Sequence, residues 1–234
     1  DAADDDDDDT DSKELGDGEG SLDNMDKVSA DESNLEEGKT QGLFAFTVEV
    51  EGDVEIDRLD VYLDSASAAG SESDNADDYF KGAELWVDGD KVADLDVEDF
   101  DEDDYGKVSV VDGGTTDEYR LRFSGLGLVF EDGDEPEFQV ALEAVSNVDG
   151  DDETETWGFD APEFRYVDGQ GFTDTLSDTG VQEDFGINEE EMAELDITKS
   201  SDSPDGTTLE VDDNDESEEH DVFVVNIEEQ NGVD

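Results

Sequence analysis

Asp149-Gly150-Asp151-Asp152 sets three carboxylates in four residues, and Asp88-Gly89-Asp90 sets two about a glycine. Such stretches suit hard cations, because Ca2+ collects about six to eight oxygen ligands from carboxylates and carbonyls. Both are read as candidate positions for Ca2+ or other cations. Asp132/Asp134 and Asp212/Asp213/Asp215 are further acidic turns of the same kind. No stretch fits the full EF-hand loop. Covalent catalysis finds little material. The chain has no cysteine and a single histidine, His220, set in Glu218-Glu219-His220-Asp221. A serine triad would rest on that one imidazole, and no Gly-x-Ser-x-Gly elbow accompanies it. Trp86 and Trp157 have faces that can stack on sugars, although strand aromatics more often fill cores. The expectation is a protein that is not an enzyme.

The candidate carboxylates belong to a larger excess. There are 78 Asp and Glu against 11 Lys and Arg, a formal charge of −67 over 234 residues. A chain this negative repels nucleic-acid phosphates and anionic headgroups, so no nucleic-acid partner is expected. No run of about 18 apolar residues exists, so no membrane insertion by a helix is expected. High charge with low hydrophobicity usually marks disorder. Here Leu, Ile, Val and Phe still make up 53 of 234 residues, slightly above the roughly 20% level at which high charge signals disorder. They also alternate in short runs. In molar salt the Debye length falls to about 3 Å, which screens repulsion among surface carboxylates. Asp (47) outnumbers Glu (31) and Lys is cut to 7. This composition resembles that of proteins from extremely halophilic archaea, and implies a compact chain in brine.

The elements that must carry these residues are strands. Phe44, Phe46, Val48 and Val50 share one face at period two. Leu59, Val61 and Leu63 form the next alternating run, and residues 64–78 read as a polar loop. Glu84-Leu85-Trp86-Val87, Asp88-Gly89-Asp90 and Lys91-Val92-Ala93 read as a hairpin, because Asp-Gly favours the type I′ turn. Val108–Val110, Tyr119/Leu121/Phe123, Leu126/Leu128/Phe130 and Phe138/Val140/Leu142/Ala144 continue the pattern. Trp157–Phe159 and Phe164–Val167 read as two short aromatic strands. Residues 168–192 show no strong period, and Asn188–Leu195 reads as a helical turn. Leu195–Thr198, Thr208–Val211 and Val222–Ile227 complete the set. Short strands with Gly/Asp turns and almost no helix imply an all-β, antiparallel β-sandwich of Ig-like or jelly-roll type.

Three segments follow. Residues 1–40, with the run Asp4–Asp9 and Gly16, Gly18 and Gly20, read as an acidic, irregular N-terminal segment. Residues 41–200 hold the sandwich. Residues 201–234 are a C-terminal strand segment, a possible donor strand or the start of a further repeat. Phe44-Ala-Phe-Thr-Val-Glu49 and Phe223-Val-Val-Asn-Ile-Glu228 match in character, which fits either chance or a second copy of one strand. A terminal strand with no hairpin partner is an edge that proteins pair or cover. Phe223, Val225 and Ile227 are therefore candidate interaction residues. Arg120 and Arg122 join them. They share a strand face opposite Leu121 and Phe123, and are expected to pair with acids across the sheet or across a subunit contact.

Ala83-Glu-Leu-Trp-Val-Asp-Gly-Asp-Lys-Val92, Tyr119-Arg-Leu-Arg-Phe-Ser-Gly-Leu-Gly-Leu128 and Phe138-Gln-Val-Ala-Leu-Glu-Ala144 resemble prokaryotic cell-surface β-sandwich modules. Such modules occur in S-layer-associated and filament proteins. The resemblance spans about residues 40–165 and implies a structural role, with assembly by donor-strand exchange. The apolar N-terminal helix of archaellins and type IV pilins is missing. The combined expectation is an extracellular subunit, exported with removal of a signal peptide, that self-associates into a homopolymer on the surface of an extreme halophile. The alternative is a calcium- or carbohydrate-binding module of a secreted or viral surface protein.

Overall fold

A computed structural model describes residues 14–65, 75–103, 118–148, 156–188, 194–199 and 225–230. The chain divides into two compact units, Asp1–Glu190 and Glu191–Asp234. The first is an all-β sandwich.

Its strands are β1 (Ser21–Val28), β2 (Asn34–Glu36), β3 (Thr40–Glu51), β4 (Val54–Ser65), β5 (Phe80–Val87), β6 (Asp90–Asp96), β7 (Asp101–Asp103), β8 (Glu118–Phe130), β9 (Glu137–Ala144), β10 (Thr156–Asp168), β11 (Thr173–Ser177) and β12 (Gln182–Asn188). One sheet is five-stranded, in the order β1-β3-β9-β5-β6. The other is seven-stranded, in the order β2-β12-β10-β4-β8-β7, with β11 also on β10. All pairings are antiparallel except β2 with β12. A four-residue helix, α1 (Ala76–Tyr79), lies where a polar loop is expected.

Aromatic rings join the two sheets. Phe44 of β3 stacks on Phe159 of β10 at 5.3 Å between ring centres. Phe80 of β5 meets Trp157 of β10 edge-on at 4.9 Å, and Phe138 of β9 meets Phe164 of β10 at 4.8 Å. Each such pair adds about 0.5–1.5 kcal/mol beyond its buried area. Phe46, Val48 and Val50 line the same core, as their alternation requires. Asp88 (φ 50°) and Gly89 (φ 87°) both take the left-handed conformation of the type I′ turn, so the β5–β6 hairpin forms as its Asp-Gly signal requires.

The structure differs from the sequence reading at several places, among them strands β11 and β12 within residues 168–192, where no strong period is read. Residues 21–36 are not an irregular tail, because β1 and β2 lie within them and Leu22, Met25 and Leu35 enter the core. The two short aromatic strands at 157–167 are one strand, β10, with a register shift at Asp160/Glu163 where Ala161 has φ 49°. Tyr119–Phe123 and Leu126–Phe130 are likewise one strand, β8. Its inward parity switches after Phe123, where Gly125 and Gly127 take positive φ. Of the helical turn expected at Asn188–Leu195, Asn188 closes β12 and Glu194 and Leu195 open the next strand, while residues 189–193 lie outside the described residues. The expected strands at Val108–Val110 and Thr208–Val211 lie outside the described residues.

The acidic Gly16-x-Gly18-x-Gly20 stretch has a packing reason. A Cβ on Gly20 would lie 2.3 Å from the Asp53 carbonyl oxygen, and one on Gly169 would lie 2.0 Å from that of Gly16. Backbone passes against backbone there, which only glycine permits.

The second unit contains β13 (Glu194–Lys199) and β14 (Val225–Gln230), which pair antiparallel as a two-stranded sheet. Residue 191 opens this unit, so the predicted boundary at residue 201 falls inside it.

Candidate functional site

All four arginines of the chain stand on β4, β8 and β10, the central strands of the seven-stranded sheet. The register sets Asp60 opposite both Arg122 and Glu163, Tyr62 opposite Arg120, and Arg58 opposite Arg165. These positions alternate with Leu59, Val61, Leu63, Leu121 and Phe123, which point into the core. Arg120 and Arg122 thus occupy the face that strand alternation assigns them.

Arg122 grips Asp60 with two hydrogen bonds, Nε to Oδ1 at 2.8 Å and a terminal nitrogen to Oδ2 at 2.9 Å. Asp60 is 1% exposed. Arg58 adds a second cation, with Nε 3.3 Å from Asp60 and a terminal nitrogen 3.7 Å from Glu163. Arg120 pairs with Asp101 of β7, and Arg165 with Asp57. The hydrogen bond to Asp60 raises the Arg122 guanidinium against the opposing effect of its burial. Burial raises the Tyr62 phenol, and Glu163 and Asp60 push the same way. The buried outer face of β4 is therefore polar, where apolar content alone predicts one buried face per sheet. Chemically this is an ion-pair lattice that ties four strands together, since charge-assisted two-point pairs are the strong ones.

The candidate metal positions have different fates. Asp88 Oδ1 accepts the Glu137 N–H at 2.9 Å, so this carboxylate staples the β5–β6 turn to β9. Asp90 opens β6 in an exposed position. Asp132 Oδ1 accepts the Gly52 N–H at 2.9 Å, and Asp134 Oδ2 accepts the Glu131 N–H at 2.9 Å. Asp149, Asp151, Asp152, Asp212, Asp213, Asp215 and His220 lie outside the described residues. Among the described residues no group of three or more His, Cys, Asp or Glu side chains is arranged to hold a metal ion. Trp157 is fully buried in the core and offers no face to a sugar. Trp86 is half-buried, and its Nε1 donates to Glu84 Oε2 at 3.0 Å.

The interaction candidates Val225 and Ile227 lie in β14, and Phe223 lies outside the described residues. Strand β14 has a partner within the chain, with Ile227 opposite Ile197 and Val225 opposite Lys199 of β13. Sequence reasoning found the strand but not its partner, because the two are separated by a long acidic stretch.

No protein-family model matches the chain, and no curated protein matches it by sequence. Solved structures resemble its fold at low similarity. AvmM, which catalyses macrocyclization in alchivemycin A biosynthesis, aligns with a TM-score of 0.36 and 13% identity over 74% of this chain and 91% of its own. BslA, a bacterial hydrophobin, aligns with a TM-score of 0.25 and 11% identity over 77% and 100%. ACE19, the collagen-binding subdomain of the Enterococcus faecalis surface protein ACE, aligns with a TM-score of 0.24 and 12% identity over 70% and 94%. Likeness at this level assigns no function.

Proposed function

We propose that this chain is a structural subunit of an extracellular filament or surface layer of an extreme halophile, with copies joined by β-strand addition. The observation that carries the reading is the β13–β14 sheet. It has two strands, paired in unbroken register from Glu194↔Gln230 to Lys199↔Val225. Two strands alone are marginal in water; a third strand or a packed face is what stabilises them. Each of the two strands also has an edge not used by the other, and strand addition satisfies such edges with main-chain hydrogen bonds. Main-chain pairing matters for a chain of charge −67. Side-chain attraction between identical acidic copies is weak, whereas backbone hydrogen bonds carry no net charge. Molar salt then supplies the screening that lets copies approach.

The test is light scattering of the full chain in molar NaCl, beside an Ile227→Pro variant in which β14 is broken. The reading expects large assemblies from the wild type and monomers from the variant. A monomeric wild type, or a variant that assembles equally well, overturns it.

A further inference from the structure

We infer that β11 is the sandwich edge that receives β14 of a second copy; this rests on the assembly reading above. Proteins guard the edges of their sheets with short strands, bulges and charges, because an open edge templates further pairing. Among the described residues of the sandwich, four of the five strands that end its sheets are guarded. Strands β2 and β7 have three residues each. Strand β1 carries a register shift between Asp23 and Met25, and also Lys27. Strand β6 carries Lys91 with Asp90, Asp94 and Asp96, and pairs with β5 through a further register shift.

Strand β11 is different. Its five residues, Thr173-Asp174-Thr175-Leu176-Ser177, pair with β10 in unbroken register from Glu163↔Ser177 to Val167↔Thr173. It has one acid and no base. Among the described residues β10 is its one strand partner, and all its residues except Leu176 are exposed. The Thr175 N–H points off the sheet and is held by the side chain of Asp174, at 2.8 Å to Oδ1. That amide is a donor a new strand can take over, since an exposed carboxylate readily exchanges a hydrogen bond for water.

Two apolar residues mark the same edge. Leu176 is partly buried against the core. Phe172, immediately before the strand, is 69% exposed, and is the one large exposed hydrophobic among the described residues. A strand added beside β11 continues the core past Leu176 and covers Phe172. The occupant is chosen by charge and pattern. A second copy is as negative as the first, so it pairs where fewest carboxylates stand, and β11 carries one against three on β6. Strand β14 has six residues against five, and its sequence carries Val225 and Ile227 two apart, the strand period that suits the row ending at Leu176.

The test uses two full-length variants. Thr175→Pro removes the outward donor without removing a bond to β10. Ile227→Pro breaks the incoming strand. Each alone is expected to stay monomeric in molar NaCl. Mixed in equal amounts they are expected to form a dimer of one copy of each, since the first variant keeps its β14 and the second keeps its β11. Hydrogen exchange on the wild type gives a second readout, with the Thr175 amide protected in assemblies and exchanging in dilute monomer. Thr175→Pro assembling like the wild type, or an unprotected Thr175 amide in assemblies, overturns β11 while leaving strand addition standing. A wild type that never assembles overturns both.

Discussion

Truncating Arg122 to alanine probes the buried carboxylate of β4 most directly. Asp60 is 1% exposed and receives two hydrogen bonds from Arg122, at 2.8 and 2.9 Å. After truncation its remaining cation is Arg58, with Nε at 3.3 Å. Breaking a buried ion pair from one side costs about 3–5 kcal/mol. The Arg122 side chain keeps 38% of its surface, so water already shares its charge. The expected loss is accordingly about 2–3 kcal/mol. Asp60→Asn removes the charge that needs a partner and lets Arg122 turn to solvent, at about 1–2 kcal/mol. With the carboxylate gone, Arg122→Ala adds little, and the double-mutant cycle leaves a coupling of about 2–3 kcal/mol. Urea unfolding at fixed molar NaCl, followed by tryptophan fluorescence, measures all four stabilities. Direct contact and burial shield the pair, so the coupling persists from about 1 to 3 M NaCl, where exposed pairs are screened away. An additive cycle, or a loss below about 0.5 kcal/mol for Arg122→Ala, refutes the view that this lattice holds the sheet together.

Two further outcomes are expected. Burial, with Glu163 and Asp60, raises the Tyr62 phenol above 10.0, so its contribution is full below the ordinary tyrosine range and is lost as pH climbs through the folded value. Tyr62→Phe should remove a late step from the ultraviolet titration and lessen the alkaline loss of stability above about pH 10; an unchanged titration contradicts this. Gly169→Ala forces a Cβ to within 2.0 Å of the Gly16 carbonyl oxygen, and should cost about 1–3 kcal/mol and speed proteolysis near residues 14–20. Unaltered stability and cleavage would show that the Gly16–Gly20 stretch does not pack as described.

The long strands were legible because their apolar residues keep period two against an acidic background. Phe44 to Val50, Leu59 to Leu63 and Phe138 to Ala144 needed no other signal. Strand β1 was hidden by its own irregularity. Leu22 and Met25 stand three apart, because Asn24 (φ 40°) sits in the register shift that resets the alternation. Strand β2 offers one core residue, Leu35, which no period can reveal. Strands β11 and β12 sit at an edge and beside a three-residue strand, so few of their residues are apolar. At the arginine lattice, strand parity gave Arg120 and Arg122 a common face. It could not supply Asp60 as the partner of Arg122, since that contact joins residues 62 apart and depends on the register of β4 with β8. Of the acidic turns, the sequence showed Asp88, Asp132 and Asp134 as cation-ligand candidates but not their backbone partners, since one oxygen of each accepts a backbone N–H group at a turn.

The most direct test of the central proposal is negative-stain microscopy of the purified full-length protein in molar NaCl, repeated with Ile227→Pro. Strand addition predicts regular filaments or layers from the wild type and dispersed single particles from the variant. Dispersed single particles from the wild type itself, at every protein and salt concentration that keeps the sandwich folded, would contradict it.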